Sequence, residues 1–363
     1  MKKILYTGNY RLFPADAAGR RVLQLALALR QTGHCVLLAP RLGQTPANTM
    51  EFDEHTDYDQ ELSSGAKFAW LRLLREVCAA EKYHAVILYN PSNTLALMLR
   101  IATKIRGIHA ALDITEWYEY SHLSSWLAKA EVFVRMNITY RLFSRMIFIS
   151  DYLESSYNPK IGRVIPPLMT EAFAVKHSRH PVEPEPLKIF YAGFPGKKDR
   201  IDLLVNWLNK VSLPFPIQLI LAGPKADQVV TTSAQLNKLQ IVALGPVDRR
   251  TVFKHYQNCH VMAIIRDDAR YEWAGFPTKS VEGWSLGVPV LVMSHSRFAM
   301  RAREYGAAAV IEASDPIESL ERELWKIYFD EDYLNKLSAA ALQLVNDHHQ
   351  VDTYVSSMND IVS

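Results

Sequence analysis

The stretch RDDARYEWAGFPTKSVEGWSLGVPVLV, from Arg266 to Val292, decides the fold. It reads as a polar loop, a short helix, a Gly-Val-Pro break and an apolar strand. Thr278 or Ser280 is placed to cap a helix beginning near Lys279, Gly287 to end it, and Pro289 to keep it from running into the strand Val288–Val292. VMAII, from Val261 to Ile265, leads in as another strand. The helix therefore opens where a strand ends, and there unpaired backbone N–H groups and the helix dipole favour an anion such as phosphate. Arg266 and Lys279 add positive charge at that point, and Glu282, about one turn on, carries a carboxylate able to accept hydrogen bonds from a diol such as ribose. Taken alone, the stretch is read more simply as a plain helix cap with a surface lysine and glutamate.

Upstream of this stretch the strand and helix pattern repeats. KIFYAG, Asp202–Val211, IQLILAG, IVALG and Arg249–Asn258 alternate as strand, helix, strand, strand and helix before VMAII. The first half opens in the same way: Lys3–Thr7 is a buried strand, the helix RRVLQLALALRQTGH closes at Gly33, and CVLLAP is a second strand. AVILYN, HAALDIT and MIFIS add strands, separated by helices over Lys67–Glu81 and Thr94–Arg106, and Asp151-Tyr152-Leu153 opens a short helix. Alternation of this kind specifies parallel sheets with helices on their faces. The loop after the first strand lacks G-x-G-x-x-G, which argues against a nicotinamide enzyme.

Three further segments organise the chain. Residues 42–65, with six carboxylates from Glu51 to Glu61, read as an acidic surface loop. Ser124–Ser144 reads as one long basic, aromatic, amphipathic helix; packing into the core is the commoner fate of such a helix, and resting on a membrane surface the rarer one. Five prolines between Ile165 and Leu187 mark a linker. The expected domains are a first α/β domain 1–168, a linker 169–187, a second α/β domain 188–340, and a terminal helix 341–363 packing back on the first domain.

Composition bounds what such a chain does. At 363 residues it is long enough for two domains of the usual ~100–200 residues. With 49% hydrophobic and 22% charged residues it is an ordinary globular chain, and a net charge of +3 is too small to argue for nucleic acid while permitting contact with an anionic membrane. Cys35, Cys78 and Cys259 are odd in number and scattered in apolar segments, as expected of reduced cytosolic thiols, and no zinc spacing occurs. MKKILYTGNY has too few apolar residues before Gly8 for a signal peptide, and no apolar run approaches the ~20 residues that span a bilayer. The expected location is cytoplasmic, with the inner face of the membrane as the place of any peripheral contact; the oligomeric state is open.

Four segments in order resemble the donor domain of a GT-B glycosyltransferase, and specifically glycosyltransferase family 4. They are FYAGFPGKKDRIDLLVNWL, IQLILAGP, VALGPVDRRTVFKHYQNCHVMAII and GFPTKSVEGWSLGVPVLV, spanning residues 188–292. The resemblance implies an α/β architecture of two Rossmann-like domains with parallel sheets, facing a central cleft. It further implies retaining transfer of a sugar from a nucleotide diphosphate to a glycan or lipid-linked acceptor, as in bacterial surface-polysaccharide assembly. No cofactor or metal is implied, because the nucleotide sugar is a co-substrate and developing charge on the leaving phosphate is met by preorganised donors.

Residue by residue, the resemblance places Glu282 at the ribose, Pro277, Thr278 and Lys279 in the diphosphate turn, and Lys198 in a basic loop following Gly193. Gly245 and Val247 match the segment around the nucleobase, and Gly8, Asp16 and Gly19 match a loop that approaches the phosphates. Glu116 is the first choice for a catalytic helper on the acceptor side, with Asp113 and Asp16 behind it; a structural hydrogen bond for Asp113 and a turn role for Asp16 are the competing readings. The chain also departs from the family: Ala274 stands where E-x7-E has its first glutamate, Phe194 replaces an arginine, and Asp199 stands where glycine is common. Arg266, Glu272 or Lys279 is left to take over part of the donor. Rival readings are a nucleotide-sugar epimerase and a non-catalytic nucleotide-binding subunit.

Overall fold

A computed structural model describes residues 2–12, 16–40, 56–58, 69–79, 83–170, 185–193, 198–225 and 239–363. The chain divides into two compact units. The first comprises Met1–Thr170, Ala274–Phe276 and Gln350–Ser363; the second comprises Glu171–Trp273 and Pro277–His349.

The first unit begins with β1 (Lys3–Gly8), α1 (Ala17–Gln31), β2 (Cys35–Pro40), β3 (Thr56–Tyr58), α2 (Ala69–Cys78), β4 (Ala85–Tyr89) and α3 (Asn93–Ile105). It continues with β5 (His109–Ile114), α4 (Trp126–Val134), β6 (Arg145–Phe148), α5 (Asp151–Tyr157) and β7 (Ile161–Val164). Its strands form one parallel sheet in the order β3-β2-β1-β4-β5-β6-β7. Both faces are covered, so the strands are apolar throughout and successive residues divide between two cores. Ile4, Tyr6, Val36, Leu38 and Ile87 face a cluster shared with α1 and with Met358, Ile361 and Val362 of the final helix. Leu5, Leu37, Val86, Leu88 and Leu112 face the opposite cluster, with Leu73, Leu95 and Leu99 of α2 and α3.

The second unit continues the chain with β8 (Leu187–Ala192), α6 (Ile201–Leu208), β9 (Ile217–Ala222), β10 (Leu239–Gly245), α7 (Arg249–Asn258) and β11 (Val261–Ile264). Then come α8 (Arg270–Ala274), α9 (Thr278–Trp284), β12 (Val290–Met293), α10 (Met300–Tyr305), β13 (Ala308–Ile311), α11 (Pro316–Phe329) and α12 (Glu331–His348), before α13 (Val355–Val362) ends the chain in the first unit. The second sheet is also parallel, in the order β10-β9-β8-β11-β12-β13. In each sheet the strand order reverses once, between β1 and β4 and between β8 and β11. Ligands of such sheets bind outside the carboxyl ends of the strands at that reversal.

Several expectations require correction. Thr56–Tyr58, expected inside an acidic loop, pairs in parallel with Val36–Leu38; the loop's carboxylates from Glu51 to Glu54 and from Asp59 to Glu61 lie outside the described residues. The expected helix over 124–144 is broken into α4, a π-turn at Arg135–Thr139 and a 3-10 turn at Tyr140–Leu142. Strand β7 carries no apolar run, because as an edge strand it is only half-buried. Neither Thr278 nor Ser280 caps α9: the N-cap is Pro277, and the Ser280 hydroxyl donates to the Pro277 carbonyl at 2.7 Å. Most of the expected linker lies outside the described residues. Among the described residues no helix is long and apolar enough to cross a membrane.

Candidate active site

The strand reversal of the second unit gathers four side chains from three chain segments. Tyr191 comes from the end of β8, Asp199 from the loop that follows it, Arg266 from just beyond β11, and Lys279 from the first turn of α9. Asp199 is the hub. Its Oδ1 accepts from Arg266 Nε at 2.8 Å, and its Oδ2 accepts from the Tyr191 hydroxyl at 2.9 Å and from Lys279 Nζ. The Lys279 ammonium also lies 4.2 Å from the centre of the Tyr191 ring, a cation–π contact. The loop is pinned next door, where Arg200 Nη1 donates to Asp267 Oδ1 at 2.8 Å and the Arg200 N–H to the Ile265 carbonyl at 2.8 Å.

Gly193 is required at this point. It holds φ at +145°, and a Cβ built on it would lie 2.7 Å from Lys279 Nζ and 3.0 Å from the Tyr191 hydroxyl. A side chain there would push the ammonium off Asp199.

The electrostatics follow from two cations sharing one carboxylate. Burial works against the Asp199 carboxylate, but Lys279 and Arg266 outweigh it and hold its pKa well below the usual range. Lys279 is brought down to about 8, first by burial and then by repulsion from Arg266, against the attraction of Asp199. Burial, reinforced by Asp199, raises the Tyr191 hydroxyl. One positive charge is left uncompensated within the trio of Arg266, Lys279 and Asp199, which is the balance an anionic ligand needs.

The other donor-side candidates distribute around this cluster unequally. Glu282 lies on α9 beyond Lys279, mostly buried, with Arg249 Nε 3.5 Å from its Oε1. The Tyr256 hydroxyl donates to the Lys279 carbonyl at 3.0 Å, tying α7 to α9. Gly245 ends β10 with φ at +68° and its N–H donates to the Pro224 carbonyl at 3.0 Å, while Val247 is half-buried just beyond. Pro277 is buried and Thr278 half-buried at the start of α9. Lys198 is exposed beside Asp199, the residue at the centre of the cluster. Phe194 lies outside the described residues.

Glu272 is completely buried. Its Oε2 accepts from the Arg297 N–H at 3.4 Å, its Oε1 has no partner, and burial raises its pKa. Ala274 is also completely buried, within an apolar cluster of the first unit, and its carbonyl accepts from the Ser150 hydroxyl at 2.8 Å.

In the first unit the reversal brings Gly8 against Tyr89: a Cβ on Gly8 would fall 2.2 Å from the Tyr89 carbonyl oxygen. Gly19 is equally constrained, since its Cβ would fall 1.8 Å from the Arg11 carbonyl oxygen. Asp113 sits in a buried hydrogen-bond network, the competing structural reading of this residue. It is fully buried, it accepts from Arg21 Nη2 at 2.9 Å and from the Tyr6 hydroxyl at 2.7 Å, and Arg21 Nη1 goes on to the Ile165 carbonyl at 2.8 Å. The Asp16 carboxylate caps α1 by accepting from the Gly19 N–H at 2.7 Å.

Glu116 remains half-buried past the end of β5, hydrogen-bonded to Tyr118. Beside it stands a residue that sequence reasoning passed over, Asn90, which holds φ at +37°. Its Oδ1 accepts from the Thr115 N–H at 3.1 Å, its Nδ2 donates to the Thr115 hydroxyl at 2.6 Å, and its carbonyl accepts from Asn9 Nδ2 at 2.7 Å. Its signal in the sequence was an asparagine ending an apolar strand, just before a proline.

Comparison with known proteins bears on the fold. Structures similar along nearly the whole chain include sucrose-phosphate synthase from Thermosynechococcus elongatus, with 14% identity, TM-score 0.70, and 99% of this chain and 98% of that one covered. HepE from Anabaena in complex with UDP-glucose shares 14% identity at TM-score 0.68, covering 99% of both chains. WaaG, a glycosyltransferase involved in lipopolysaccharide biosynthesis, shares 12% at TM-score 0.62, covering 98% of both. The fold is therefore GT-B, two parallel α/β units. Residues 185–330, which contain the Asp199 cluster, match the family model described as glycosyl transferases group 1. No curated protein matches the chain at the sequence level.

Proposed function

We propose that this protein is a retaining glycosyltransferase that moves a sugar from a nucleotide diphosphate to a glycan or lipid-linked acceptor without a bound metal, in the assembly of a surface polysaccharide. The observation that carries the reading is the pair of cations, Arg266 and Lys279, held on one buried carboxylate at the strand reversal of the unit that matches the group 1 model. Such a pair is suited to a diphosphate. Charge grows on the leaving phosphate as the glycosidic bond breaks, and fixed cations in a partly dehydrated site stabilise that charge without reorganising.

Glu282 accepts the ribose hydroxyls, and Gly193 keeps the ammonium in place. Gly245, Val247 and the turn at Pro277 and Thr278 line the nucleotide, Lys198 contributes charge from the loop, and in the first unit Gly8 and Gly19 leave room for the backbone of Tyr89 and Arg11. In a retaining transfer without a covalent enzyme intermediate, the leaving phosphate takes the proton of the acceptor hydroxyl, and Glu116 acts as the polar helper on the acceptor side.

The test is a panel of uridine- and guanosine-diphosphate sugars; uridine donors come first because HepE was solved with UDP-glucose. Transfer with the donor's anomeric configuration kept in the product, unaffected by a chelator and reduced by roughly 10–100-fold in both Glu282→Ala and Lys279→Ala, is the expected result. Unchanged donor turnover in both variants would remove the site assignment. Conversion of the sugar with no acceptor present would replace transfer by epimerisation.

A further inference from the structure

The first unit carries an apolar surface that none of its described residues covers. On α3, Leu97, Ile101 and Ile105 recur every fourth residue and are exposed, Ile105 to 77%. On α4 and the π-turn after it, Trp126 is 73% and Leu127 62% exposed, and Phe133 and Ile138 are exposed as well. The two segments lie side by side: Asn93 Nδ2 donates to the Glu131 carbonyl at 3.0 Å, and Arg100 Nε to the Leu142 carbonyl at 3.0 Å. The helix anchors itself with a different set of residues, Val132, Met136, Tyr140 and Phe143, which are buried. The exposed row is therefore surplus to the fold, and isolated soluble domains seldom present so many large apolar side chains together.

The exposed charges beside this row are mostly positive. Residues 93–106 contain Arg100, Lys104 and Arg106 and no carboxylate. Residues 124–145 contain Lys129, Arg135, Arg141 and Arg145 against Glu131 alone, and Glu131 lies 3.5 Å from Arg135. Lys104, Arg106 and Lys129 point into solvent.

We infer that this face docks on an anionic phospholipid surface, with Trp126, Leu127 and the exposed isoleucines entering the headgroup boundary and the flanking lysines and arginines meeting lipid phosphates. Tryptophan and aliphatic tips rimmed by cations match the requirements of an interfacial helix, in which apolar burial and attraction to anionic lipid add. A second copy of the chain fits less well. A two-fold interface sets a patch against itself, and here like charges would oppose one another. The inference does not rest on the proposed activity, although it would bring a lipid-linked acceptor to the first unit.

The test is co-sedimentation of the full chain with vesicles of phosphatidylcholine, alone or with ~30% phosphatidylglycerol, in low and high salt. Binding to the anionic vesicles that weakens in high salt is expected. Lys104→Glu/Lys129→Glu and Trp126→Ser/Leu127→Ser should each lower the partition coefficient at least about tenfold. All four side chains are exposed, so melting temperature and UDP affinity should stay at wild-type values; UDP binding also separates failure of this surface from failure of the donor site. Absence of wild-type binding to anionic vesicles overturns the inference, as does equal binding by the variants. So does a concentration-dependent dimer that Trp126→Ser/Leu127→Ser abolishes, which would make a second copy the occupant.

Discussion

Replacing Lys279 by Met should make the protein more stable and a poorer binder of nucleotide. The side chain is mostly buried, and its ammonium titrates at about 8 where an ordinary lysine titrates at 10.5. At about 1.36 kcal/mol per pH unit, carrying that charge into the fold costs ~3 kcal/mol even after the attraction of Asp199 is included. Methionine keeps the stem over the Tyr191 ring and removes the charge, and Asp199 retains Arg266 and Tyr191 as partners. Stability at pH 7 should therefore rise by about 1–3 kcal/mol. The sign with pH is fixed as well. Because the folded-state pKa is depressed, the wild type gains stability between about 8 and 10.5 as the ammonium deprotonates, and Lys279→Met should lack that slope.

Against this gain, loss of a charge-assisted bond to phosphate should weaken UDP binding by about 1.5–3 kcal/mol, or roughly 10–100-fold in Kd. Urea unfolding across pH 7–11 and titration calorimetry with UDP measure the two effects on one sample. A variant that is less stable and binds UDP as tightly as wild type would refute the assignment of Lys279 as a charge kept for the ligand.

Two further outcomes follow from the same geometry. Gly193→Ala places a methyl group 2.7 Å from Lys279 Nζ at a φ of +145°, so it should cost about 1–3 kcal/mol in urea unfolding and weaken UDP binding together. Arg21→Met leaves Asp113 buried with only the Tyr6 hydroxyl among its present partners, and should destabilise by about 3–5 kcal/mol, whereas Arg21→Met with Asp113→Leu should recover most of the loss by removing both charges.

The parallel sheets were legible because strands buried on both faces must be apolar at every position, as in LKIFYA and AVILY, and helices between them keep a period near 3.6. Arg266 and Lys279 were legible because each lies directly after a readable strand or at a readable helix start. Asp199 as their counter-ion was not. Its partners stand 67 and 80 residues downstream, and no local pattern records which of several aspartates folds back onto them. The partner of Asp113 was hidden for the same reason: its position at a strand's carboxyl end is local information, whereas Arg21, which binds it, lies 92 residues earlier. The edge strand β7 failed differently, since half-buried chain leaves little periodic signal.

The departure at position 274 shows how packing reshapes such a motif. Ala274 is enclosed by apolar side chains of the first unit, so a carboxylate there would enter an apolar core. A buried charge without a partner costs several kcal/mol, and a side chain limited to one methyl group avoids that cost. The acid that survives nearby, Glu272, belongs to the second unit, where the Arg297 N–H binds one of its oxygens and leaves the other unpartnered. Position 274 is thus part of the packing, while Arg266 and Lys279 meet on Asp199 in the loop after β8.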